Sequence, residues 1–282
     1  SPTVIDQIVE NPDMLQLGGE KREMTPFFSD IQGFSTISEG LTPEELVQLL
    51  NEYLTAMCDI VSSYHGTIDK FEGDAIIAFW GAPLELPDHA TVACHAAIDM
   101  QKRNEEMRKT LREQNRPMLY TRIGMSSGPV VVGNMGSADR MDYTMMGDVV
   151  NLAARLEGVN KFYQTFTMIP QSTYELAKDD IDTRQLDVIR VVGKKEPISV
   201  YEVLERKNQT SSEKSGVVEK FLKALKLYEE RNFADASKEF EKVLAIDPDD
   251  GPSQTYVKRC GVFLETPPEK DWDGVYTFTE KG

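Results

Sequence analysis

The stretch TIDKFEGDAIIAFWG holds two β-rich runs separated only by Glu72-Gly73. A parallel crossover needs a dozen or more residues, so the two runs must pair as an antiparallel hairpin. Elsewhere the chain places long helix-spaced segments between strand-like runs. Thr42-Pro43-Glu44-Glu45 reads as a helix start with its cap at Thr42 and proline in the first turn; Leu46, Leu49, Leu50, Tyr53, Leu54, Met57 and Ile60 then follow at helical spacing. The pattern predicts a second helix over roughly 88–115. DVVNLAARLEGVNKF is a third, with Asp148 as its N-cap. Further strands are expected in EMTPFFSDI, YTRIGMSSGPVVVGNMG, RMDYTMMG and TFTMI, and near 185–192 and 198–204, with a short helix at 170–177. Hairpins beside helical connections predict an α+β fold, a mixed sheet flanked by helices, rather than a doubly wound parallel one.

The expected organisation is a connector over 1–23, a main domain over 24–205, a polar Ser/Thr-rich linker over 206–216, a helical region over 217–265 and a tail over 266–282. In the helical region two amphipathic helices flank Arg231-Asn232, and Ala224, Phe233, Ala236, Phe240 and Pro248 match the spacing of a tetratricopeptide repeat. One more helix is expected at about 252–264. A single such repeat cannot bury its own apolar face, so it should pack on the main domain, on its third helix or on another chain.

Composition narrows the function. Acids outnumber bases 47 to 31, for a formal net charge of −16, which argues against a nucleic-acid binder. A phosphate ligand would have to be met by metal ions or a few placed cations. No apolar run approaches the length of a membrane span, so no membrane contact is expected of this segment. Cys58, Cys94 and Cys260 form no CxxC pair, which favours a reducing, cytoplasmic setting. The chain begins at Ser1 with no signal-peptide pattern and reads as a piece of a longer protein, whose sensor or membrane region would lie upstream.

Three constellations could carry chemistry. Asp30 ends a strand otherwise suited to burial, and Asp74 follows the hairpin turn; if their strands are neighbours, the two carboxylates and the Ile31 carbonyl share one rim. Hard oxygen donors of that kind suit Mg²⁺. Spacing alone fits two unrelated turn residues equally well. Asn151 and Arg155, four apart on a predicted helix, share a face and could steer a sugar and neutralise a reacting phosphoryl group; a solvated helix face is the commoner use of such a pair. Lys70 and Thr144 offer a cation and a hydroxyl that could read a purine edge, although a hairpin lysine is more often surface charge. His65, His89 and His95 fall outside these segments and read as structural or surface residues.

FFSDIQGFSTISE, DKFEGDAIIAFWGAP and YTMMGDVVNLAARLEG, in this order and separation, resemble the signature segments of class III nucleotidyl cyclases over about residues 24–205. The resemblance implies the ferredoxin-like, palm-type mixed sheet of that family, with a tetratricopeptide-like helical appendage here. It implies that Asp30, Ile31 and Asp74 hold two Mg²⁺ or Mn²⁺ ions, that Asn151 and Arg155 orient the ribose and stabilise the transition state, and that Lys70 and Thr144 select adenine. Lys194 in VVGKKEP resembles a triphosphate-contacting lysine; Val192 stands where the family's VKGK pattern has its first lysine. The implied substrate is ATP, the products cyclic AMP and pyrophosphate, and the implied assembly a head-to-tail homodimer with shared sites. Two alternatives stand beside this adenylate cyclase: a guanylate cyclase and a non-catalytic regulatory module. The GG[DE]EF run of a diguanylate cyclase is absent.

Overall fold

The computed structural model describes residues 17–137, 139–191 and 195–278. Among them, strand β1 (Gly18–Ile31) organises the sheet. Its second half pairs antiparallel with β3 (Ala75–Trp80) on one side and β4 (Thr121–Met125) on the other. Its first half, Gly18 to Met24, pairs instead with β5 (Gly128–Gly136). The strand expected from Glu23 therefore begins earlier, inside the stretch read as a connector. The polar run GGEKRE hides a strand there because most of its side chains face solvent and only its backbone is paired.

The main sheet continues outward on both sides of β1. On one side lie β3 and β2 (Thr67–Glu72); on the other, after β4, come β7 (Thr167–Pro170), β9 (Ile198–Arg206), β8 (Ile181–Arg190) and β10 (Tyr276–Thr277). β6 (Met141–Met146) pairs with β5 as a branch. β4 with β7 and β10 with β8 are parallel and the other pairs antiparallel, so the sheet is mixed. β10 lies in the stretch expected to be a tail; a two-residue edge strand leaves no periodicity to read.

Helices α1 (Phe34–Glu39), α2 (Pro43–Ser63) and α3 (His89–Glu113) follow β1 and the hairpin. The expected cap of α2 is a full capping box, with Thr42 and Glu45 each satisfying the other's backbone N–H. Leu49, Tyr53, Met57 and Val61 of α2 pack with Ala93, Ala97 and Met100 of α3 on Phe27, Ile76 and Trp80. On the opposite side runs α4 (Asp148–Tyr163). Its N-cap is Gly147 rather than Asp148, which is the first helical residue. α4 crosses β4 so closely that a Cβ at Gly124 would lie 2.1 Å from the Glu157 nitrogen and 2.3 Å from the Ala153 oxygen. Only glycine allows that approach.

After the short α5 (Gln171–Ala177) and strands β8 and β9, the chain forms α6 (Ser212–Glu229), α7 (Phe233–Leu244) and α8 (Gly251–Glu265). Residues 212–216, expected in the linker, are already helical, because Ser211 accepts from the Lys214 N–H and caps α6. These helices share one buried core with α4 and β8: Leu156, Tyr163 and Leu186 pack with Phe221, Phe240 and Tyr256. Among the described residues no helix is long and apolar enough to cross a membrane.

Candidate active site

Asp30 lies at the end of β1, and the β2–β3 turn returns Asp74 beside it. Gly73 makes that turn with φ 64°, a value that glycine adopts without strain. The Ile31 N–H donates to Asp74 Oδ2 at 2.9 Å, which ties the hairpin to the strand end. Burial drives the Asp74 carboxyl up to about 7, and the Asp30 carboxyl beside it adds to the rise. The two acids do share one rim.

Two residues that the sequence did not single out complete this corner. Arg122 stands opposite Asp30 in the β1–β4 register; its Nη2 lies 3.4 Å from Asp30 Oδ2, and its Nε donates to Glu157 Oε1 at 2.8 Å. Two carboxylates thus share one guanidinium, and Asp74 lies beside Asp30 with no cation of its own. The donor set fits a divalent cation: hard oxygens and an acid pair with surplus negative charge. Among the described residues no group of three or more His, Cys, Asp or Glu side chains is placed to hold a metal ion. The signal for Arg122 was an arginine inside an otherwise apolar strand.

Asn151 and Arg155 lie on one face of α4 and make no side-chain hydrogen bond or ion pair to any described residue. Glu157, two positions beyond Arg155, is turned by about 200° on a helix of 3.6 residues per turn. Glu157 is the residue that faces Arg122 and Asp30, so Arg155 and Asn151 project away from the acid pair of their own chain.

Lys70 and Thr144 do come together, through Asp69. The Thr144 hydroxyl donates to Asp69 Oδ2 at 2.6 Å, and Lys70 Nζ lies 3.8 Å from Asp69 Oδ1. Nothing in the sequence flagged Asp69 beyond its place next to Lys70. Lys194 lies outside the described residues. Of the histidines, His89 is buried with Nδ1 2.7 Å from Thr25 Oγ1, and His95 reaches the Asp180 carbonyl. Neither belongs to the site.

Residues 19–205 match the family model described as the adenylate and guanylate cyclase catalytic domain. The chain is similar to adenylate cyclase 1 of Rhizobium meliloti (strain 1021), with 39% identity over 184 residues, covering 65% of this chain and 28% of that protein. It thus spans little more than a quarter of that relative's length. Among solved structures it resembles the adenylyl cyclase CyaB from P. aeruginosa, with TM-score 0.63 and 38% identity, covering 69% of this chain and 100% of that one. The guanylyl cyclase Cya2 is as close in shape, with TM-score 0.64 and 35% identity, covering 68% of this chain and 97% of that one. Overall similarity therefore does not choose between the two bases.

Proposed function

Because the chain belongs to the adenylate and guanylate cyclase catalytic domain family, we propose that it is an adenylate cyclase, converting ATP to 3′,5′-cyclic AMP and pyrophosphate. The observation that carries the reading is the convergence of Asp30 and Asp74 on one rim, with Ile31 N–H holding Asp74 in place. The alternative of a non-catalytic module is disfavoured by that geometry, since an acid pair in surplus over its guanidinium costs stability unless a cation serves it.

In this reading Asp30, Asp74 and the Ile31 carbonyl hold Mg²⁺ or Mn²⁺. When bound, the ions lower the pKa of the ribose 3′-hydroxyl and neutralise the triphosphate for in-line displacement at the α-phosphorus. Arg155 meets the charge that grows on the reacting phosphoryl group, and Asn151 orients the ribose. Lys194 contacts the triphosphate. Lys70 donates to the adenine ring and Thr144 accepts from its amino group.

The outward turn of Arg155 supports a homodimer in which each acid pair is served by the partner's helix. The β5–β6 pair adds apolar surface for a second copy to cover: Val131 and Met146 stand opposite each other in register and are 42% and 62% exposed. The free thiols of Cys58, Cys94 and Cys260 fit a cytoplasmic setting. The buried Ala224, Phe233, Ala236 and Phe240 of α6 and α7 support a tetratricopeptide-like pair acting as a brace.

Incubation with ATP or GTP and Mn²⁺ tests the reading. Cyclic AMP is the expected product; cyclic GMP alone would reassign the base. Lys70→Glu with Thr144→Cys should weaken the ATP preference.

A further inference from the structure

The pairing of β2 with β3 is irregular at one place. Ile68 stands opposite Ala78 and Lys70 opposite Ile77, so Asp69 is an extra residue without a partner on β3. Such a bulge re-aims a side chain. Here it accompanies a carboxylate turned towards β6, where the Asp69 side chain is only 3% exposed. Burying a carboxylate is costly, and this one is only partly compensated: Oδ2 accepts from Thr144, while Oδ1 is buried without a hydrogen bond and has only the Lys70 ammonium, 3.8 Å away. A strand irregularity that keeps an under-paired acid against one hydroxyl is hard to explain by packing.

The chemistry of the contact supplies a reason. An ionised carboxylate has no proton to give, so in the 2.6 Å contact the hydroxyl must be the donor. Threonine has a single hydroxyl proton. With that proton committed to Asp69, Thr144 Oγ1 offers a base only lone pairs. Lys70 beside it can only donate. The pair therefore presents one acceptor and one donor of fixed polarity. Adenine carries a donating amino group at position 6, whereas guanine carries an accepting oxygen there.

We propose that Asp69 is a positioning residue for base selection: by taking the Thr144 proton it makes Thr144 an obligate acceptor, and so selects purine nucleoside triphosphates bearing a 6-amino group. The inference rests on the assignment of Lys70 and Thr144 to the base. Asp69→Asn keeps the shape and reverses the relay, because the amide oxygen would face the Lys70 ammonium and the NH₂ would donate to Thr144, whose own proton then points at the base. Asp69→Ala frees the hydroxyl to take either sense.

The test compares kcat/KM for ATP, GTP and purine riboside triphosphate, which lacks any 6-substituent, in wild type, Asp69→Asn, Asp69→Ala, Thr144→Val and the double variants. Both Asp69 variants should lower the ATP:GTP ratio by about tenfold, the worth of one ordinary hydrogen bond, with Asn the stronger. Turnover of purine riboside triphosphate should hold, and the Asp69 effect should vanish in the Thr144→Val background. A purely structural role would lower all three substrates together. If Thr144→Val shifts the ratio and neither Asp69 variant does, the proposal falls alone. If Thr144→Val leaves the ratio unchanged, the base assignment itself falls and takes the proposal with it.

Discussion

The candidate active site and the junction between the sheet and helices α6–α8 both bury charge, but they balance it differently. At the junction Arg184, 1% exposed, donates to Glu202 from Nε and Nη2 and to Asp250 from Nη1 at 2.7 Å. Burial pushes the Asp250 carboxyl up, but the Arg184 charge, Ser253 and Lys214 outweigh it and hold it below the usual carboxylate range. A second cluster there joins Asp187 to Tyr163 at the end of α4 and to Arg259 of α8, each at 2.5 Å. At the rim, Asp30 and Glu157 share Arg122 alone, and Asp74, beside Asp30 without a cation, is driven upward. Charge that is balanced within the chain marks structure. Charge left in surplus marks a place where something else completes the balance.

The contrast breaks most sharply on paired substitutions. Asp30→Asn should cost about a thousandfold in cyclase activity, the scale of removing a main electrostatic stabiliser, while leaving the thermal midpoint unchanged or higher. Arg155→Ala should be similarly inactive. Mixing the two inactive chains should restore activity, because one heterodimer site inherits neither lesion; a verified heterodimer that stays inactive would overturn the shared site.

At the junction the effect should fall on stability instead. Arg184→Met strips the guanidinium from Glu202 and Asp250, leaving Asp250 only the more distant Lys214 at 3.4 Å, and should cost about 3–5 kcal/mol, read from urea denaturation. A loss confined to activity would reverse the contrast between the two regions.

Divalent cations should separate the regions again. Mn²⁺ at a hundred times its dissociation constant should stabilise wild type by about 2.7 kcal/mol in a thermal-shift measurement, and chelation should reverse it. Asp74→Asn should abolish the shift and Asp250→Asn should keep it.

The smallest effect is in the acid limb. Asp250 has a lower pKa folded than its ordinary 3.8, so its pairing stabilises above that value and is lost as pH falls through the folded pKa. The stability gap between wild type and Asp250→Asn should narrow as pH drops below about 4. A constant gap from pH 6 to 3 would show that ionisation of Asp250 contributes nothing.

Much of this molecule was legible because its signals are local. The Glu72-Gly73 hairpin, the Thr42 cap and the apolar spacing of α2 each depend on residues a few positions apart, and each stands in the structure as the pattern predicts. The edges were less legible. β10 is too short to show a period, the first half of β1 is polar, and Ser211 starts α6 inside a run that reads as linker. Arg122, Glu157 and Asp69 escaped notice for another reason: each acquires meaning only from a partner 35 to 92 positions away.

By itself the sequence determined the residue types and the local geometry: a strand ending in Asp30, a turn that returns Asp74, and a helix that puts Asn151 and Arg155 on one face. Backbone periodicity and turn chemistry act over a few residues, so they can be read in one dimension. Only the tertiary structure decided which charges are shared. It set Arg122 between Asp30 and Glu157, turned Arg155 away from its own acid pair, and brought Thr144 onto Asp69. Electrostatic balance is a property of distances in space, and no spacing along the chain encodes it.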